Sequence, residues 1–175
     1  MLALNFLAVL AVILMISILW TNLVGAPWLP TARRKVHRML DMAEVGGDDV
    51  VYDLGCGDGR TLVIAARTYG ARAIGIEIDP MRYVWCELLV TVLGLRGQVT
   101  VIFGNIFDQD LQLADVVTCY LLPETNRKLE AKLRRELKPQ ARVVSHDFTF
   151  PGLRLMGEDR EADLYLYHPL PRQPS

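Results

Sequence analysis

At 175 residues, with 51% hydrophobic side chains and a formal net charge of -1, the chain has room for one domain of ordinary size and offers no electrostatic case for a nucleic-acid partner. The charge is unevenly spread: positions 1–31 hold no Asp, Glu, Lys or Arg, so all 19 basic and 20 acidic residues belong to the remainder. Cys56, Cys86 and Cys119 lie far apart without a C-x-x-C pair, and His37, His146 and His168 are equally scattered, which argues against a disulfide framework and against a metal centre.

Residues 2–24 are almost continuously apolar, with Asn5, Ser17, Thr21 and Asn22 the only polar side chains. About twenty such residues at a helical rise of roughly 1.5 Å cover the roughly 30 Å hydrocarbon core of a bilayer. Trp20 and Trp28 fall near one end, where an amphipathic ring suits the interface. The expectation is a single transmembrane helix within residues 1–26, followed by a domain over residues 27–175. A cleaved signal peptide is the competing reading, since Val24-Gly25-Ala26 offers a small-residue site. Against it stand the length of the apolar run, the absence of a basic residue before it, and Pro27 just after the cut. Arg33, Arg34, Lys35 and Arg38 directly follow the span, so the positive-inside rule places the domain in the cytoplasm, or in the matrix if the chain is mitochondrial.

Beyond a proline-rich linker, Thr31 is positioned to cap a helix over residues 32–43, with Val36, Met39, Leu40 and Ala43 on one stripe. Strands are expected over 50–54, 71–78, 99–103, 115–121 and 142–145. Helices are expected over 61–69, from Pro80 to about 93, and over 123–137. Alternation at this spacing predicts an α/β, doubly wound, Rossmann-like sheet that is mostly parallel. The tail reads as an antiparallel hairpin of 153–156 and 164–167 around a polar turn at 157–160.

The most informative segment is Val51-Tyr52-Asp53-Leu54-Gly55-Cys56-Gly57-Asp58-Gly59-Arg60. A buried strand ending in Asp53, a glycine turn and a helix bring backbone N–H groups and a helix N-terminus to one point, which is the design of a nucleotide-type cofactor site. Glu77, at the end of the following strand, can accept from two ribose hydroxyls. The dinucleotide fingerprint G-x-G-x-x-G fails, because Arg60 stands where close helix packing wants a small residue.

The spacing of Gly55, Gly57 and Gly59 after Asp53 instead resembles motif I of the class I S-adenosylmethionine-dependent methyltransferases. Further segments narrow the resemblance: Pro30-Thr31 ahead of a basic helix, Gly75-Ile76-Glu77-Ile78-Asp79-Pro80, Asp115-Val116-Val117-Thr118-Cys119-Tyr120-Leu121-Leu122, and Val143-Val144-Ser145-His146. Together they resemble the small archaeal protein-lysine methyltransferases and their membrane-anchored mitochondrial relatives, which act on the adenine nucleotide translocase and the ATP synthase c subunit.

That resemblance implies S-adenosyl-L-methionine as methyl donor. It implies that Gly55, Gly57 and Gly59 approach its methionine and ribose portions, and that Asp53 orients the loop or reaches the amino group. Glu77 would hold the ribose, Ile78 would face the adenine, and Asn105 would stand where many relatives carry an acid for the adenine amino group. Asp58 either contacts the cofactor or only caps the next helix; Thr31 either lines the methionine end or only caps its own helix. In most relatives a helix separates the last two strands, so the expected hairpin is a trimmed version.

The segment after the fourth strand occupies the place of the acceptor pocket, which makes Tyr120 and Glu124 the catalytic candidates, with His146 and Asp147 after the fifth strand beside them. The implied activity is protein-lysine N-methylation at or near a membrane, with a protein substrate and no nucleic acid. Two alternatives stay open: a small-molecule or lipid methyltransferase taking a quinone or phospholipid headgroup, and a non-catalytic cofactor-binding module.

Overall fold

The structure is a computed structural model and describes residues 30–171; the apolar segment 2–24 lies outside the described residues. No helix among the described residues is long and apolar enough to cross a membrane. Helix α1 spans Arg33–Met42, strand β1 Val50–Leu54, helix α2 Arg60–Tyr69, strand β2 Arg72–Glu77, helix α3 Pro80–Val92 and strand β3 Val99–Phe103. Strand β4 (Val116–Cys119), helix α4 (Pro123–Glu136), strand β5 (Arg142–His146) and strands β6 (Leu153–Asp159) and β7 (Leu164–Pro171) follow.

The seven strands form one sheet in the order β3-β2-β1-β4-β5-β7-β6. Strands β1 to β5 are parallel, and β7 runs antiparallel to both β5 and β6. The expected doubly wound sheet and terminal hairpin are therefore both present. Parallel strands covered on two faces must be apolar on both sides, and the fully buried Val116–Cys119 of β4 is the extreme case.

Val36, Leu40, Leu62, Ala65, Cys86 and Val90 place α1, α2 and α3 in one core on the same face of the sheet. Leu129 and Leu133 of α4 pack with Leu54, Ile76 and Phe150 on the other. Each fully buried Leu or Ile contributes roughly 1.5–3 kcal/mol relative to exposure, so the sheet is a firm base for the loops at its carboxyl edge.

Three local expectations change. Helix α1 begins after Ala32, which makes no side-chain cap, and Thr31 does not cap it because its hydroxyl is turned to His146. Strand β4 stops at Cys119, since Tyr120 to Leu122 lead out extended into Pro123 at the start of α4. Strand β6 continues through the expected turn to Asp159, using two register shifts to stay paired with β7.

Candidate cofactor and acceptor site

The carboxyl ends of β1, β2, β4 and β5 converge on one rim. At the first, Gly55, Gly57 and Gly59 take φ values of 84°, 55° and 77°, a left-handed run that side chains resist. Gly59 also faces steric exclusion, because a Cβ there would overlap Cys86 Sγ on α3. The loop is braced from below by Gly75 in β2, where a Cβ would lie 2.5 Å from Leu62 Cδ1 and 2.7 Å from Cys56 Sγ. Nothing in the sequence pattern assigns Gly75 this role, which depends on α2 packing over β2.

Glu77 is buried, and its two oxygens divide the work. Oε2 accepts the Gly57 N–H at 2.8 Å and Oε1 accepts the Asp79 N–H at 2.9 Å. A carboxylate offers about four acceptor positions, so each oxygen retains capacity for a ribose hydroxyl. Asp79 in turn caps α3, accepting from Met81 N and Arg82 N at 2.9 Å each.

Asp53 is buried and accepts from the Thr118 hydroxyl at 2.7 Å across the paired strands β1 and β4. Burial raises its carboxyl to about 6, against the opposing hydrogen bonds of Thr118 and Thr61 and with added repulsion from Glu77 and Asp58. Such a group gains from an arriving cation, and the ammonium of a methionine moiety is one. Glycine turn, buried Asp53 and half-used Glu77 together fit S-adenosylmethionine. Ile78, beside Glu77, is 37% exposed and available as an apolar wall.

The remaining cofactor candidates also take partners within the chain. Asp58 does not cap α2, whose N-cap is Gly59; it clamps Arg60, accepting from Nε at 2.9 and 3.0 Å and from the backbone N–H at 3.2 Å. Burial pushes the Asp58 carboxyl up, but Arg60 outweighs it and the net shift is downward. Arg60 then donates from Nη1 to the Thr31 carbonyl at 2.6 Å, tying the start of α1 to the glycine turn. Asn105 is exposed, and its side-chain oxygen accepts the Phe107 N–H at 3.0 Å in a local turn, which leaves its second lone pair open.

A second cluster stands at the ends of β4 and β5. The Tyr120 ring lies 4.0 Å from that of His146 and 6.2 Å from Phe148, centroid to centroid. Burial, and then the hydrogen bond to Asp147, raise the Tyr120 hydroxyl to about 12, so it remains a donor. Lys35 Nζ is 2.7 Å from His146 Nε2 and 3.9 Å from Asp147 Oδ1. Thr31 Oγ1 is 3.1 Å from the other ring nitrogen.

Burial lowers the His146 pKa, with Lys35 adding to the fall while Asp147 and Asp163 oppose it. The shift favours the neutral ring, and its Nε2 stands between Lys35 Nζ at 2.7 Å and Asp147 Oδ1 at 3.1 Å, so the tautomer follows whichever of the two it engages. Asp147 has a left-handed φ of 62° and donates its N–H to the Asp163 carbonyl at 2.8 Å. The terminal hairpin thus sets the carboxylate beside Tyr120.

Glu124, a catalytic candidate by sequence, stands apart. Its side chain is 75% exposed and paired with Arg127 one turn along α4, an arrangement that favours the helix N-terminus whatever the acceptor. Asp147 is the acid next to Tyr120. Pro123, Arg127, Asp147, Phe148, Thr149 and Pro151 line a cavity of about 280 Å³ beside this cluster. Thr118 and Lys35 join the site without a signal in the sequence: cross-strand pairing alone reveals the first, and the second stands out there only as part of a basic cluster. No group of three or more potential metal ligands occurs among the described residues.

The sheet order and the glycine–Asp53–Glu77 site define an S-adenosylmethionine-dependent methyltransferase of the Rossmann-like class. The chain belongs to the ANTKMT methyltransferase domain family, whose model matches residues 53–156. It is 43% identical over 127 residues to a protein-lysine N-methyltransferase of Saccharolobus islandicus, covering 72% of this chain and 79% of the relative. It is 32% identical over 126 residues to the adenine nucleotide translocase lysine N-methyltransferase of Mus musculus, over 71% of this chain, but spans only 54% of that relative. Among solved structures, an RNA methyltransferase from Salinibacter ruber bound to S-adenosyl-L-homocysteine aligns with a TM-score of 0.75 and 40% identity, over 84% of this chain and 97% of that one.

Proposed function

We propose that the chain is a protein-lysine N-methyltransferase working at a membrane. The observation that carries the acceptor class is the joining of Tyr120, Phe148 and Asp147 at the ends of β4 and β5, where aromatic faces and a carboxylate meet beside an open cavity. Aromatic rings and a carboxylate favour a cationic amine. Lys35, whose ammonium already rests between His146 and Asp147, illustrates the chemistry the cluster accepts. The 43% identity to an archaeal enzyme of this activity supports the same reading.

S-adenosylmethionine supplies a methyl group already activated on a sulfonium sulfur. The protein's tasks are then alignment, exclusion of water and delivery of a neutral amine. A lysine with a pKa of about 10.4 must lose a proton first. Neutral His146 and the Asp147 carboxylate are the nearby acceptors for it, and the Tyr120 hydroxyl orients the amine lone pair. Asp53, Gly55, Gly57, Gly59, Glu77 and Ile78 hold the cofactor.

Membrane attachment is supported by the charge-free apolar run over residues 2–24 and by Arg33, Arg34, Lys35 and Arg38 directly after it. In this arrangement the domain faces the cytoplasm, or the matrix in a mitochondrion, and tethering raises its effective concentration toward membrane-embedded proteins. A second reading, RNA as acceptor, is favoured by the 40% identity to the Salinibacter RNA methyltransferase.

Incubation of the detergent-solubilised chain with a membrane extract, total RNA and methyl-labelled S-adenosylmethionine separates the readings. Label in protein, recovered as methyl-lysine after hydrolysis, is the expected result. Label confined to RNA would establish the second reading, and label confined to lipid would overturn both.

A further inference from the structure

A surface helix ordinarily turns its apolar stripe toward the core. Helix α3 does the reverse. Its fully buried apolar positions are Cys86 and Val90, while Met81, Val84, Trp85, Leu88 and Val92 are 44%, 59%, 57%, 55% and 73% exposed. At about 100° per residue these five share one face, opposite the line through Cys86 and Val90. An exposed apolar face of this length on a folded domain marks an interaction surface.

We propose that this stripe lies on a lipid bilayer, seated at the boundary of headgroups and acyl chains; the proposal rests on the membrane-anchored reading above. The chain outside the described residues argues for this occupant. Its apolar run ends at position 24, and residues 25–30 can extend at most roughly 20 Å. The domain's entry is pinned at the carboxyl rim of the sheet by Thr31, through Arg60 and His146, and α3 starts from that same rim after β2.

The helices α1, α2 and α3 also form one layer on one face of the sheet, so their outer surfaces look the same way. That layer also carries exposed Arg33, Arg34 and Arg67, the last donating to the Leu93 carbonyl just past α3 at 3.2 Å. Of its acids, Asp41 accepts from the Tyr69 hydroxyl at 2.6 Å and Glu87 is paired with Arg96. An apolar stripe on a layer that also exposes basic side chains matches an anionic lipid surface. The consequence is a fixed attitude: the sheet would lie roughly along the bilayer, with the site rim opening beside it.

Trp85 is its own reporter. In the full chain carrying Trp20→Phe and Trp28→Phe it is the one tryptophan left of three. This protein is reconstituted into phosphatidylcholine–phosphatidylglycerol vesicles, with and without bromine on the upper acyl chain, and followed by flotation and fluorescence. The expected result is flotation, a Trp85 emission maximum at shorter wavelength, and loss of most of its intensity in brominated vesicles. Adding Val84→Glu and Leu88→Glu, both on the exposed face, should restore aqueous emission and abolish quenching while the protein still floats.

Flotation with unquenched, aqueous Trp85 emission would overturn the docking proposal and leave the anchor reading standing. Folded protein that fails to float would overturn the anchor reading and this proposal with it. Short-wavelength emission that brominated lipid does not quench, and that depends on protein concentration, would assign the stripe to a second copy. Quenching that persists after Val84→Glu and Leu88→Glu would also overturn the proposal.

Discussion

The Glu77 carboxylate accepts the backbone N–H of Gly57 at 2.8 Å, joining the end of β2 to the middle of the glycine turn. The same carboxylate holds the Asp79 N–H, so one side chain shapes the turn and the entrance to α3, and the proposed ribose contact would fall on it too. Charge-assisted hydrogen bonds contribute about 1.5–3 kcal/mol each. Glu77→Gln, which keeps the shape but loses the charge, is expected to raise the Kd for S-adenosylmethionine roughly 10- to 100-fold by calorimetry. An unchanged Kd in a folded variant would refute the ribose assignment.

Asp53 couples function to pH. Because its folded-state carboxyl is raised to about 6, the folded chain binds more protons than the unfolded one between roughly pH 4 and 6. Stability from this group therefore falls as pH rises through that window, by about 3 kcal/mol in total. His146, whose pKa is lowered, acts oppositely: its contribution is lost as pH falls below the ordinary imidazole range. Comparison with Asp53→Asn isolates the first effect. The variant should melt higher than the parent at pH 7.5 and lose that advantage near pH 4, while activity falls. A variant less stable at pH 7.5 would contradict the burial argument.

Cofactor affinity should carry the same titration. If the ammonium of the methionine moiety is received by ionised Asp53, affinity in the parent weakens toward roughly tenfold per pH unit below about 6. Calorimetry from pH 5 to 8 tests it. A flat profile would remove Asp53 from direct contact and leave it only the bond to Thr118.

Gly75 has no positive φ, so its requirement is purely one of space. Gly75→Ala places a methyl 2.5 Å from Leu62 Cδ1 and 2.9 Å from Cys56 Cβ. Overpacking of this kind costs about 1–3 kcal/mol. The displaced Cys56 belongs to the glycine turn, so cofactor affinity should fall together with melting temperature. Loss of stability with intact affinity would show that the turn is decoupled from β2.

Lys35 and Tyr120 separate the acceptor side from the cofactor side. Lys35→Met is expected to move the His146 titration upward in NMR, since the lysine ammonium helps to hold it down. Tyr120→Phe removes the hydroxyl bonded to Asp147 and should lower kcat about tenfold, with little effect on cofactor Kd. Equal losses in both quantities would place Tyr120 on the cofactor instead.

Much of the cofactor half was legible without coordinates because its constraints are local. Left-handed glycines, an acid closing a strand and Pro80 opening a helix are consequences of backbone sterics within a few residues, and the alternation of apolar runs predicts the parallel sheet. The apolar stretch over 2–24 is likewise a property of composition, which argues for a bilayer without locating one. What only the tertiary structure decided lies where side chains meet from distant elements. Thr31 abandons its helix for His146, 115 positions away. Arg60 reaches the Thr31 carbonyl, the Asp163 carbonyl holds Asp147 in place, and of the acidic candidates it is Asp147 that stands beside Tyr120. Each of these polar groups had several partners within chemical reach, and sequence does not rank them. The packing of sheet and hairpin does, because each group takes the partner that the packed elements bring within hydrogen-bonding distance.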